Sequence, residues 1–83
     1  MERSEIIEII KTVISEETEI SKEEIQENSL LMRDLELSSL ELLAIIGKLE
    51  EKMGIKTDMD ELQAVTTVGE LGDYLLSILP IKK

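Results

Sequence analysis

Two adjacent serines, Ser38 and Ser39, head a helical pattern within Asp34-Leu35-Glu36-Leu37-Ser38-Ser39-Leu40-Glu41-Leu42-Leu43. Ser38 and Glu41 form Ser-x-x-Glu, a capping box in which each side chain satisfies the other residue's backbone N–H, worth about 1 kcal/mol. A serine in the first turn of a helix presents its hydroxyl beside unpaired backbone N–H groups and the positive end of the helix dipole. Such a setting accommodates an attached phosphodiester. The plainer reading, favoured by residue type and spacing alone, is that both are ordinary helix-start serines. Asp58-Met59-Asp60-Glu61 gathers carboxylates but lacks the spaced ligands and the glycine of an EF-hand loop, so no metal site is expected. No glycine-rich phosphate loop is present, and no carboxylate pair for hydrolysis stands out among 19 acidic residues.

The rest of the composition narrows the chemistry further. With no Cys and no His, the chain has no thiolate nucleophile, no disulfide, no Cys-type zinc site and no imidazole to move protons near neutrality. No catalytic residue is expected, and the chain reads as a non-enzyme. Nineteen acidic against nine basic residues leave a net charge of −10, which opposes broad contact with nucleic acid or anionic lipid. Tyr74, the sole aromatic residue, makes no stacking platform for bases. Hydrophobic residues at 42% with helical spacing separate the chain from disordered acidic tails. No segment approaches the roughly 20 apolar residues of a membrane span. Met-Glu-Arg-Ser does not resemble a signal-peptide start, and a reducing cytoplasm is the expected location.

Eighty-three residues suit one small domain covering 1–83. The periodicity predicts an all-α fold, a small helical bundle of three main helices and one short one with a long first loop. The first helix runs from Ser4 to about Ser15, with Ile6, Ile9, Ile10, Val13 and Ile14 on one face and Ile7 beside them. Residues 16–37 form the connection, in which Ser21 and Glu24 predict a capping box opening a turn around Lys22–Ile25. Ile20, Ile25, Leu30, Leu31, Leu35 and Leu37 must find burial along it, and an ordered loop of such length is usually functional. The second helix starts at Ser38 or Ser39 and runs to about Met53, stopped by Gly54. Leu42, Ile45, Ile46, Leu49 and Met53 face inward. Leu40, Leu43 and Gly47 point elsewhere, bordered by charges, as a docking face would be. Thr57 or Asp58 caps a turn through Leu62–Ala64. Thr67 and Glu70 open the last helix with another capping box, its inward stripe is Val68, Leu71, Leu75, Ile78 and Leu79, and Pro80 ends it.

Four segments of this chain resemble the acyl carrier protein family, whose pattern is Asp-Leu-Gly-x-Asp-Ser-Leu, then a helix ending near Leu-Glu-Glu, then Thr-Thr-Val. Asp34-Leu35, Ser39-Leu40, Leu49-Glu50-Glu51 and Thr66-Thr67-Val68 fall in that register without a gap. The resemblance covers nearly the whole chain. It implies a four-helix bundle in which Ser39, not Ser38, carries a 4′-phosphopantetheine arm derived from coenzyme A. Acyl groups ride on the arm's thiol as thioesters, so that prosthetic group and partner enzymes supply the chemistry. It further implies an acyl pocket among Leu42, Ile46, Leu49, Leu62 and the last helix. The implied partners are a phosphopantetheinyl transferase (holo-carrier synthase) and acyl-transferring and condensing enzymes with basic docking surfaces, meeting a monomer.

Leu40, Glu41, Leu43, Glu50 and Glu51 have a positional case for docking, with Glu36 a weaker one. The chain departs from the pattern where Ser38 replaces the usual Asp, Glu36 the usual Gly, Ala44 a commonly acidic residue and Gly47 a larger apolar one. These departures suggest a specialised carrier with its own partner set, not necessarily the housekeeping one of fatty acid synthesis; the expected pathway is fatty acid, polyketide or related specialised biosynthesis. An aminoacyl, peptidyl or D-alanyl carrier uses the same scaffold, and an unmodified acidic helical adaptor is the alternative from another class.

Overall fold

The computed structural model describes residues 2–79, which form four α-helices and one 3-10 turn: α1 (Arg3–Glu17), the turn (Lys22–Glu24), α2 (Ser39–Met53), α3 (Met59–Leu62) and α4 (Val68–Ile78). Among the described residues there is no strand, only an isolated antiparallel bridge between Leu30 and Thr67. The Pro80 stop lies outside the described residues. The architecture is therefore the all-α bundle that the periodicity predicts.

Helix α1 is the central element, packed against both α2 and α4. Being sandwiched, it buries two faces instead of one. Ile6, Ile7, Ile10, Val13 and Ile14 are all in the core, whereas Ile9 is only half-buried. This corrects the single-stripe expectation, which placed Ile9 inward and Ile7 at its side. Ile7 is recruited because α4 approaches closely there: a β-carbon on Gly72 would lie 2.5 Å from the Ile7 Cδ1. Arg3 fastens the same corner, its guanidinium pairing with Glu27 at 2.8 Å and Asp73 at 2.6 Å.

The 18–38 connection is ordered by its own apolar residues and by α4. Ile25, Leu31, Leu35 and Leu37 are buried, and Ile20 and Leu30 half-buried. The Leu31 N–H donates to the Thr66 carbonyl at 2.9 Å, and the first amides of α4, those of Val68 and Gly69, donate to the Ser29 and Glu27 carbonyls. Helix-start donors that have no partner within their helix are thus satisfied by the loop. The Asp34 carboxylate closes the next turn by accepting from Leu30 N–H at 2.8 Å. Ser21 does not complete a capping box: its hydroxyl donates to the Glu24 carboxylate at 3.0 Å and caps no backbone amide. A three-residue 3-10 turn is too short to require that cap.

Glu36 adopts φ 55°, in the left-handed region where a side chain is disfavoured. The turn into α2 demands that conformation, so Glu36→Gly should raise unfolding stability by about 0.5–1 kcal/mol, relief of strain outweighing the added backbone entropy of glycine. Chemical denaturation checks this, and an unchanged or lower midpoint denies the strain. Gly54 ends α2 at φ 66°, as a left-handed C-cap.

Candidate functional site

The capping box at the head of α2 is present in full. Glu41 N–H donates to Ser38 Oγ at 3.1 Å, and Ser38 N–H donates to Glu41 Oε1 at 2.9 Å. Ser38 is therefore committed as N-cap, and Ser39 is the first residue inside the helix. Ser39 is exposed, and among the described residues no protein group hydrogen-bonds its hydroxyl. The two serines, interchangeable by type, are separated by role: one holds the helix end and the other offers a free oxygen beside it.

Behind Ser39 lies an apolar cavity of about 250 Å³ between α2, α3 and the start of α4. Ser39, Leu42, Leu43 and Ile46 line it from α2, Met59 and Leu62 from α3, and Leu71 from α4. Among the described residues, Gln63 and Ser39 are its only polar lining residues. Of the pocket residues expected from the sequence, Leu42, Ile46 and Leu62 line it with Leu71 of the last helix. Leu49 does not, being fully buried one turn deeper. Leu31, Leu43, Met59, Gln63 and Val65 also line it, beyond those the sequence predicts.

The expected docking residues fall into two groups. Leu40 is 79% exposed on the outer face of α2 and Leu43 47% exposed at the cavity edge, with Glu36 and Glu41 exposed nearby along the chain. Glu51 is exposed near the far end of α2. Glu50 is different. Its Oε2 accepts from both Thr57 N–H at 2.8 Å and Thr57 Oγ1 at 2.6 Å, and the Thr57 hydroxyl followed by its amide holds the carboxyl below its ordinary range. Glu50 thereby ties α2 to the segment leading into α3.

Met59, 56% exposed, was missed. The available signal was an apolar residue isolated among Asp58, Asp60 and Glu61. The Thr66-Thr67-Val68 segment also acquires a physical role. The Glu70 carboxylate accepts from Thr66 N–H and Thr66 Oγ1, each at 2.8 Å, while Thr67 Oγ1 accepts from Glu70 N–H. Those Thr66 contacts, amide first, hold the Glu70 carboxyl below its ordinary range.

Residues that would hold a phosphodiester-linked arm are compatible with this geometry. A free, exposed hydroxyl stands at the positive end of a helix, and a non-polar cleft opens beside it for whatever the arm carries. Among the described residues no group of three or more carboxylates converges to bind a metal, and no helix is long and apolar enough to cross a membrane.

Comparison with known proteins agrees with this arrangement. Residues 8–75 match the family model described as phosphopantetheine attachment site. The acyl carrier protein of Saccharopolyspora erythraea is 33% identical over 79 residues, covering 95% of this chain and 83% of that protein. That of Lactobacillus acidophilus is 35% identical over 77 residues, covering 93% and 96%. That of Thermotoga maritima is 32% identical over 73 residues, covering 88% and 90%. An all-α bundle, a capped helix opening on a free serine and a match spanning most of its length together place this chain in the acyl carrier protein family, whose prosthetic group is 4′-phosphopantetheine.

Proposed function

We propose that Ser39 is the attachment point of the arm and that the chain carries apolar acyl groups through a cytoplasmic biosynthetic sequence of the fatty acid, polyketide or related specialised type. One observation carries the reading: of two neighbouring serines, Ser39 has the free hydroxyl, at the edge of the apolar cavity. In the loading step Ser39 Oγ attacks the phosphorus that bears the pantetheine in coenzyme A. The new bond is Oγ–P, the P–O bond to the adenosine 3′,5′-bisphosphate leaving group breaks, and the serine proton passes to a base of the transferase. When bound, the arm supplies a thiol that holds cargo as a thioester. The protein's own part is to present the arm, shelter the cargo and be recognised. The test is the intact mass after incubation with coenzyme A and a broad phosphopantetheinyl transferase, with residue-level location of the added group.

The cavity bears on cargo class. An aminoacyl, peptidyl or D-alanyl group would bring a charged amine or amides against a wall with little to hydrogen-bond them, whereas an alkyl chain is sheltered there. Loading with octanoyl-coenzyme A as donor should raise the thermal midpoint by roughly 5–10 °C over the unacylated arm, from the net burial of one or two methylenes at about 0.8 kcal/mol each. An alanyl thioester should leave it within about 1 °C. Equal midpoints for both cargoes would remove the case for apolar acyl groups while leaving attachment at Ser39 intact.

A further inference from the structure

We infer that Met59 is an oxidation site that controls the apolar cavity: peroxide converts its thioether to the sulfoxide, and the cavity then shelters an alkyl chain poorly until a dithiol reductase restores the thioether. For the cargo this rests on the carrier reading above.

With four methionines and no Cys, the chain keeps its readily oxidised sulfur in thioethers alone, and a thioester protects the one thiol that the arm would add. Among the described methionines Met53 is half-buried against the core, whereas Met32 is 51% exposed and Met59 56%. The two exposed sulfurs differ in what lies beside them. Met32 sits in the turn after Leu31 and is not part of the cavity wall. Met59, the first residue of α3, lines the cavity with Leu43 and Leu62. One is an accessible thioether with nothing to control; the other forms part of the space beside Ser39.

Oxidation there changes the wall in kind. A thioether packs against alkyl groups as a soft, apolar filler, while a sulfoxide is polar and loses hydrogen bonds wherever an alkyl chain covers it. The oxidised form also has a partner in reach. Gln63 stands four residues after Met59 with helical dihedral angles, and its N–H donates to the Met59 carbonyl at 3.2 Å, so the two side chains share one face of α3. The Gln63 carboxamide lines the same cavity and, among the described residues, makes no hydrogen bond within the protein. Donation from that carboxamide to a sulfoxide oxygen would set a polar pair into a wall where the reduced protein offers an apolar one.

In the reaction the sulfur lone pair attacks one oxygen of hydrogen peroxide. The S–O bond forms as O–O breaks, the departing hydroxide takes the proton from the new S–O–H, and water leaves. Sulfur gives up the two electrons that the peroxide gains. A reductase dithiol returns them, becoming a disulfide while the oxygen leaves as water.

The test treats the unmodified full chain with hydrogen peroxide, so that no arm thiol is present to react, and locates the added oxygen by residue. The protein is then loaded with octanoyl-coenzyme A and a broad phosphopantetheinyl transferase, with intact mass confirming the loading. The readout is the rise in thermal midpoint that the octanoyl group brings over the identically treated protein with an unacylated arm. Met59 and Met32 should gain oxygen at least about fivefold faster than Met53. The octanoyl-dependent rise should fall to less than about half of its untreated value, and methionine sulfoxide reductases of both stereospecificities should restore it. Met59→Leu, which keeps the wall apolar, should retain the full rise after peroxide, whereas Met32→Leu should lose it as wild type does. Met59→Gln should lower the rise without any peroxide. An undiminished rise in protein bearing the Met59 sulfoxide, an equal loss in Met59→Leu, or a loss that the reductases do not reverse would overturn the inference and leave the carrier reading standing. A wild type that loads but shows no octanoyl-dependent rise before oxidation would overturn the inference and the apolar-cargo reading together. Failure of the untreated wild type to load at Ser39 would overturn the carrier reading and the inference with it.

Discussion

Replacing Ser39 with alanine should abolish the mass gain from coenzyme A completely, while Ser38→Ala should still be modified. The two outcomes differ because the serines do different work. Ser38 Oγ accepts from Glu41 N–H and its own amide is held by the Glu41 carboxylate, so alanine there costs a helix cap, about 1 kcal/mol, and leaves a reactive hydroxyl next door. Ser39 makes no such contact, so its alanine variant should fold with unchanged stability yet offer no oxygen to attack phosphorus. The measurement is intact mass together with the unfolding midpoint. A Ser39→Ala protein that still gains the arm, or a Ser38→Ala protein that is folded but inert while wild type reacts, would reassign the site.

The second large effect concerns the seam between α1 and α4. A β-carbon at Gly72 would sit 2.5 Å from Ile7 Cδ1 and 3.4 Å from Ile7 Cγ1. Gly72→Ala is tolerable because the nearest atom is the tip of a side chain that can swing aside, and the roughly 1 kcal/mol gained in helix propensity offsets the repacking. Gly72→Leu is not. Three further carbons must enter a space filled by Ile7 and Ile10, so a loss of about 3 kcal/mol or more is expected, a large fraction of the stability of a domain this small. Urea titration of both variants checks the contrast. If leucine is accommodated as easily as alanine, the helices are not held at the distance described.

Much of this was legible from residue types because the helix signals are local. Ser38 with Glu41, Thr67 with Glu70 and Gly54 mark helix ends through contacts spanning three or four residues, and all three act as their types suggest. What stayed hidden depended on contacts between residues far apart in the chain. Ile7 and Ile9 are equally apolar, and only the approach of Gly72 decides which of them is in the core. A helical wheel puts Glu50 and Glu51 side by side as surface carboxylates, yet Thr57, seven residues on, claims one of them. Met59 is marked in the sequence only as an apolar residue isolated among Asp58, Asp60 and Glu61; that it lines the same cavity as residues of α2 is decided by tertiary packing. Glu36 is an intermediate case: it stands where the resembled family usually has glycine, and its φ of 55° is a conformation glycine adopts freely.

The bonds from Leu31, Val68 and Gly69 join the first connection to the head of α4, and Arg3 rivets both to α1. In the intervening stretch α2 packs against α1, whereas the short α3 contributes no fully buried side chain. Breathing on that side can therefore widen the cleft without unzipping the seam that keeps the molecule folded. Widening of the cleft is then a local fluctuation of α3, decoupled from global unfolding.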